Sequence, residues 1–201
     1  MTGESEDWMR RFHLGTETVT GTGELSVRRG TSRLAGALCA LLRLPRTGEP
    51  VPARVVVHRR PARVVVHRRP AGTGPRPLTE RWVRHIGPYR LTTTQVRTGP
   101  HGRERHGLLV LHTRTTAGPG EVTVTQTRTV LGAGPLRVRL PARVAPQVSA
   151  RARVEPGDLH APAPRFHIEV RVTLPVVGLL LSYTGHLCEE RGDRLPPPAS
   201  G

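Results

Sequence analysis

Residues 166–187 read FHIEVRVTLPVVGLLLSYTGHL, and the spacing within this stretch decides the fold class. Phe166, Ile168, Val170, Val172 and Leu174 stand at every second position, with His167, Glu169, Arg171 and Thr173 between them. Successive side chains of a strand point to opposite faces, so this pattern is one dry face and one wet face, which no helix would keep together. Pro175 and Gly178 bracket a reversal, and Leu179, Leu181, Tyr183 and Leu187 supply a second apolar row. The stretch is a β-hairpin whose inner face belongs to a core.

Outward from the hairpin the pattern repeats more weakly. Strands are expected over Thr16–Arg29, Thr79–Ile86, Tyr89–Arg97, Gly107–Arg114, Glu121–Leu131, Leu136–Leu140 and Val148–Val154. Thr98–His106 reads as a polar loop, and residues 70–78 as a loop by composition. Leu34, Leu38, Leu41 and Leu42 recur at helical spacing after Gly30-Thr31-Ser32 and stop at Leu44-Pro45. The expected fold is mainly antiparallel β (α+β): one curved sheet or half-open barrel of about eight to ten strands packed against one short N-terminal helix. Residues 1–15 are expected as a flexible lead-in, 16–187 as a single domain and 188–201 as a disordered tail.

Residues 52–60 and 61–69 carry the same nonapeptide, PARVVVHRR, twice in tandem. Two copies of so short a unit do not make a repeat architecture. A slide by an odd number of residues swaps every side chain to the other face of a strand, so the copies cannot replace each other in one register. Either one copy is extruded or the two form an extra hairpin.

The formal net charge is +16, and all 31 basic residues are arginine, since the chain has no lysine. Arginine in place of lysine, with abundant Gly, Pro, Ala and Val, is what a GC-rich gene produces, but it does not explain the surplus of positive charge. A basic field attracts anions non-specifically. Sequence-tolerant nucleic-acid binding also needs aromatic platforms, and Trp8, Phe12, Trp82, Tyr89, Phe166 and Tyr183 are scattered along the chain. Nucleic acid is therefore not an expected partner. The start, MTGESEDWMRR, lacks a signal-peptide pattern, and no apolar run approaches the ~20 residues of a spanning helix. A soluble, cytoplasmic protein is expected, with Cys39 and Cys188 as reduced thiols.

Several motifs carry a resemblance. They are Gly23-Glu24-Leu25-x-Val27-x-x-Gly30, the Leu44-Pro45 stop, Glu80-Arg81-Trp82-x-Arg84, Phe166-x-Ile168-x-Val170 running to Leu174-Pro175-x-x-Gly178, and Tyr183-x-Gly185-x-Leu187. On these the chain resembles a bacterial family known as domain of unknown function 4166, over roughly Gly21 to Leu187. It departs from that family at Ile86-Gly87-Pro88, where a Phe-Gly-Gly turn is usual, and in the duplicated nonapeptide. Similar domains are attached to NAD(P)-binding reductase domains, so the resemblance implies an accessory role beside a reductase. It implies no activity.

No nucleophile elbow, P-loop, C-x-x-C or H-E-x-x-H motif occurs. His101 and His106 flank HGRERH without a third ligand at metal spacing, and His58 and His67 are one residue duplicated. No catalytic residue, metal site or cofactor is expected. Two features stand above this background. Trp82 and Arg84 share a strand face, where a guanidinium meets an indole. Val176, at the hairpin tip, with Leu179, Leu181 and Tyr183 on the return strand, offers more apolar surface than one short helix covers. Together these six residues form the expected ligand-binding set. The expected function is a hydrophobic-ligand-binding or accessory module, its partner a lipid-like molecule or a protein such as a reductase. An interaction subunit without ligand, or an enzyme of unknown chemistry, is the alternative.

Overall fold

The structure is a computed structural model that describes residues 3–41, 44–62, 75–106, 108–133, 136–155 and 163–190. Its elements in chain order are α1 (Gly3–Leu14), β1 (Val19–Arg29), α2 (Arg33–Leu41), β2 (Gly48–Pro61), β3 (Leu78–Ile86), β4 (Tyr89–Thr98), β5 (His101–His106), β6 (Leu109–Gly118), β7 (Glu121–Ala133), β8 (Leu136–Leu140), β9 (Gln147–Arg153), β10 (Arg165–Leu174) and β11 (Gly178–Glu189). Every strand pairing is antiparallel, and the strands run β1-β2-β3-β4-β5-β6-β7-β9-β10-β11 around a closed ring. The closing pair is β1 with β11, where Leu25 faces Gly185 and Val27 faces Tyr183. The barrel is thus shut, not half-open. Closure leaves no edge strand in the ring, and β8 alone is appended, sharing the far edge of β7 with β9.

The hairpin of β10 and β11 turns through Pro175–Val177 as its spacing predicts, with Leu174 opposite Gly178 and Gly178 at φ 87°. Phe166, Ile168 and Val170 point into the barrel with Leu181, Tyr183 and Leu187, and all are buried. What they meet there is not the expected helix. Residues 3–14, expected as a lead-in, form α1, which inserts Trp8, Met9 and Phe12 into one end of the barrel. These three side chains have no exposed surface. Acidic Glu4 and Glu6 in its first turn suit the helix dipole. Gly15 ends it, because a Cβ there would stand 2.5 Å from the Arg11 carbonyl oxygen.

The helix predicted from the leucine spacing, α2, packs in a second cluster, separate from the main core. Its buried residues Ala35 and Cys39 pack on Leu180, the bulged residue of β11, with Leu38, Val172, Leu174 and Val177 around them. Leu34 and Leu41 are exposed. Leu42 lies outside the described residues. Cys39 is a buried small apolar group whose thiol donates to the Leu180 carbonyl at 3.2 Å.

Two further expectations are corrected. Thr98–His106 is not all loop: β5 pairs with both β4 and β6. Its inward residues Gly102 and Glu104 give it no apolar face to read. The tail does not begin at 188, because β11 continues to Glu189, where Cys188 pairs with Arg165 and Thr22. The first nonapeptide copy is the body of β2, paired on both sides. Most of the second, residues 63–69, lies outside the described residues, as does 191–201. No described helix is long and apolar enough to cross a membrane.

Candidate functional site in the barrel lumen

One end of the lumen is floored by α1 and locked by charges. Glu80 on β3 is fully buried, and its Oε1 accepts from Arg59 Nε at 2.9 Å and Arg97 Nε at 2.7 Å. Its Oε2 accepts from Gln95 Nε2 at 2.6 Å and Trp82 Nε1 at 3.3 Å. The rest of each guanidinium turns to the C-terminus of α1. Arg59 donates to the carbonyls of Arg11, Glu17 and Phe12, and Arg97 to those of Leu14 and Gly15. The carbonyls of Phe12 and Leu14 belong to the last turn of α1, where C=O groups run out of partners within the helix and carry the negative end of its dipole. Burial pushes the Glu80 carboxyl up, but Arg97 and Arg59 outweigh it and hold the group below the usual carboxylate range.

Above this floor sits an aromatic cluster. Phe12 meets Trp8 at 5.2 Å, Phe166 at 5.3 Å and Trp82 at 5.6 Å between centroids. Five of the six aromatic residues that look scattered in the sequence thus share one buried core, where they cannot stack on nucleic-acid bases.

Beyond the cluster lies a cavity of about 110 Å³. Its apolar wall includes Leu25, Val55, Val124, Ile168 and Val170; its polar lining includes His13, Arg84, Thr93, Glu104, Thr113 and Tyr183. Arg84 stacks over the Trp82 ring at 5.1 Å and donates to Thr93 Oγ1 at 3.0 Å. His13 is buried, its Nε2 has no hydrogen-bond partner among the described residues, and burial with the nearby Arg59 charge lowers its pKa to about 4. Burial also raises the Tyr183 phenol, against the pull of Arg84. Both groups are therefore neutral at pH 7.

The family described as Domain of unknown function (DUF4166) matches residues 7–187. The chain belongs to that family. No curated protein and no solved structure matches it. The DUF4166 match begins inside α1, so the plug is part of the domain and not a lead-in to it. The motifs that carry the resemblance also acquire roles. Gly23 and Gly185 lie at the closing seam of the barrel, where a Cβ on Gly23 would stand 1.9 Å from the His186 carbonyl oxygen and one on Gly185 2.0 Å from that of Glu24. In Glu80-Arg81-Trp82-x-Arg84, Glu80 locks the floor while Trp82 and Arg84 face the cavity.

Of the six residues expected to bind a ligand, Trp82, Arg84 and Tyr183 line this cavity. Leu181 is buried in the core nearby, Leu179 is half-buried, and Val176 is 76% exposed at the hairpin tip, remote from the lumen. His13 and Glu104 went unforeseen. Each sits in a segment with little apolar pattern, and only the turn of α1 and the pairing of β5 bring them inward. A larger concavity, about 830 Å³, opens outside the barrel where β8 and β9 diverge from β7. Its charged lining is Arg128, Arg139 and Arg171, with no acid or histidine, so it lacks groups for acid–base work.

Proposed function

We propose that this domain is a binding module whose lumen takes a short apolar molecule with one hydrogen-bonding head group, acyl-like or isoprenoid-like, and that it serves as an accessory unit. The observation that carries this reading is the closed lumen itself. Its lining combines an apolar surface with the polar groups of Arg84, Thr93, Glu104 and Tyr183, and His13, which lines it too, has a buried Nε2 without a partner among the described residues. A buried polar atom without a partner is costly, and a ligand head group would remove that cost.

The volume limits the ligand. Pockets for drug-sized molecules span about 300–1,000 Å³, whereas this one measures about 110 Å³. A short chain fits; a long-chain fatty acid does so only if α1 withdraws. His13, Arg84, Glu104 and Tyr183 line one cavity, which favours an enzyme as the second reading. Binding is the better one because neither His13 nor Tyr183 is poised near neutrality, where a general acid or base works best.

Calorimetry with butanoic acid, butanol and palmitic acid, on the native domain and on Arg84→Ala, tests this. Saturable binding of a four-carbon ligand with a negative heat-capacity change, weakened by Arg84→Ala, supports the module. No heat and no thermal shift with any of the three removes it.

A further inference from the structure

On the outer wall of the barrel, remote from the lumen, three potential ligands converge. His167 on β10 and His186 on β11 are direct cross-strand partners, and their ring centroids lie 4.9 Å apart. Glu155, just past the end of β9, brings its Oε2 to 3.4 Å from His186 Nε2. One ligand atom from each of the three residues lies within 4.8 Å of the others. We propose that Glu155, His167 and His186 form a binding site for a divalent transition metal of the Zn²⁺ class.

The donor set argues for the metal. Two imidazoles and one carboxylate suit Zn²⁺ and its neighbours rather than Ca²⁺ or Mg²⁺, which take oxygen ligands. Zn–N and Zn–O bonds of about 2.0–2.2 Å place tetrahedral ligand atoms about 3.3 Å apart. Rotamer adjustments on the order of 1 Å therefore close the 4.8 Å cluster on an ion. Neighbouring groups already orient the ligands. Thr184 Oγ1 lies 2.9 Å from His167 Nε2, and Arg153 holds the other carboxylate oxygen, Glu155 Oε1, at 2.8 Å. Such outer partners fix ring and carboxylate orientation at metal sites.

The three residues come from separate elements, which explains why no spacing motif marks them. His167 and His186 align only because β10 and β11 pair in this register; a slip by one residue would turn one imidazole into the lumen. Three protein ligands leave the fourth position of a tetrahedral ion open to water or an exogenous donor. The ion would also tie the segment after β9 to the β10–β11 wall.

Titration of the untagged, metal-free protein with ZnCl₂, and with CoCl₂ as a spectroscopic probe, tests the site. The expected result is one ion per chain, with the visible absorption of a low-symmetry Co²⁺ site. His167→Ala, His186→Ala and Glu155→Gln should each weaken binding at least 10-fold, while His58→Ala, on an exposed position of β2, leaves it unchanged. Circular dichroism verifies the fold of each variant, and His167→Asn and His186→Asn replace any alanine variant that unfolds. Absence of saturable binding, or an affinity in the His167 and His186 variants equal to that of the unsubstituted protein, overturns the proposal.

Discussion

Arg59 Nε lies 2.9 Å from Glu80 Oε1, and neither side chain exposes any surface. A pair so placed is costly to break, because the remaining charge stays buried without compensation. Glu80→Gln leaves two guanidiniums against a neutral amide, and should cost about 3–5 kcal/mol of unfolding free energy. Urea denaturation measures this; a loss under about 1 kcal/mol would show that Arg59 and Arg97 are held by the α1 carbonyls alone.

Acid should destabilise the domain in two stages. His13 falls from 6.5 to about 4 in the folded state, so between those values the unfolded chain binds more protons. Stability is then fully present above pH 6.5 and declines as the pH drops towards 4, by up to about 3 kcal/mol. The lowered Glu80 carboxyl adds a further loss at lower pH, as it takes up its proton. Denaturation midpoints across pH 4–7 test the first stage, which His13→Gln should flatten.

The two faces of β10 should respond differently. Ile168 packs in the lumen and Arg171 stands exposed on the outer wall. Ile168→Ala should cost about 2–5 kcal/mol, and Arg171→Ala under about 0.5 kcal/mol. Equal losses in chemical denaturation would contradict the assignment of faces.

Glycine replacements should divide by place. Gly23→Ala drives a methyl group into the His186 carbonyl across the closing seam, at a cost of about 1–3 kcal/mol. Gly36→Ala, within α2 and with nothing inside 4 Å of its Cβ, should stabilise by about 0.4–1 kcal/mol. Thermal midpoints moving in opposite directions are the expected result.

The second nonapeptide copy should be dispensable. Deleting residues 61–69 leaves Pro70-Ala71 where Pro61-Ala62 stood, so β2 keeps its sequence to the end. The remaining change is a shorter connection to β3, worth under ~1 kcal/mol. Loss of soluble expression on deletion would mean that the second copy contributes to the fold.

Legibility in the sequence followed apolar contrast. The β10–β11 hairpin could be read because Phe166, Ile168 and Val170 alternate with polar residues. β5 could not, because its inward positions carry Gly102 and Glu104, and a polar lumen erases the alternation. In α1 the buried apolar set is only Trp8, Met9 and Phe12 among polar and charged neighbours, too narrow a stripe to stand out, although Glu4, Glu6 and Gly15 mark its ends. Trp82, Arg84 and Tyr183 share a cavity as their strand faces implied. Val176 does not, because it sits in the turn between β10 and β11, where the alternation of strand faces ends. Neither the closure of the ring nor the cluster of Glu155, His167 and His186 was legible, since both depend on which distant strands become neighbours.

The seam between β1 and β11 joins the first strand to the last, and this dictates an order of events during synthesis. While the ribosome is still making residues before 178, β1 and β10 each present an unpaired edge, and the inner wall formed by Leu25, Val55 and Ile168 stands open. Contacts between residues so distant in sequence form slowly, and exposed edges invite pairing between chains. A nascent chain of this domain is therefore most open to pairing with other chains until β11 emerges, and a truncation that removes β11 should be nearly as damaging as one that removes β1.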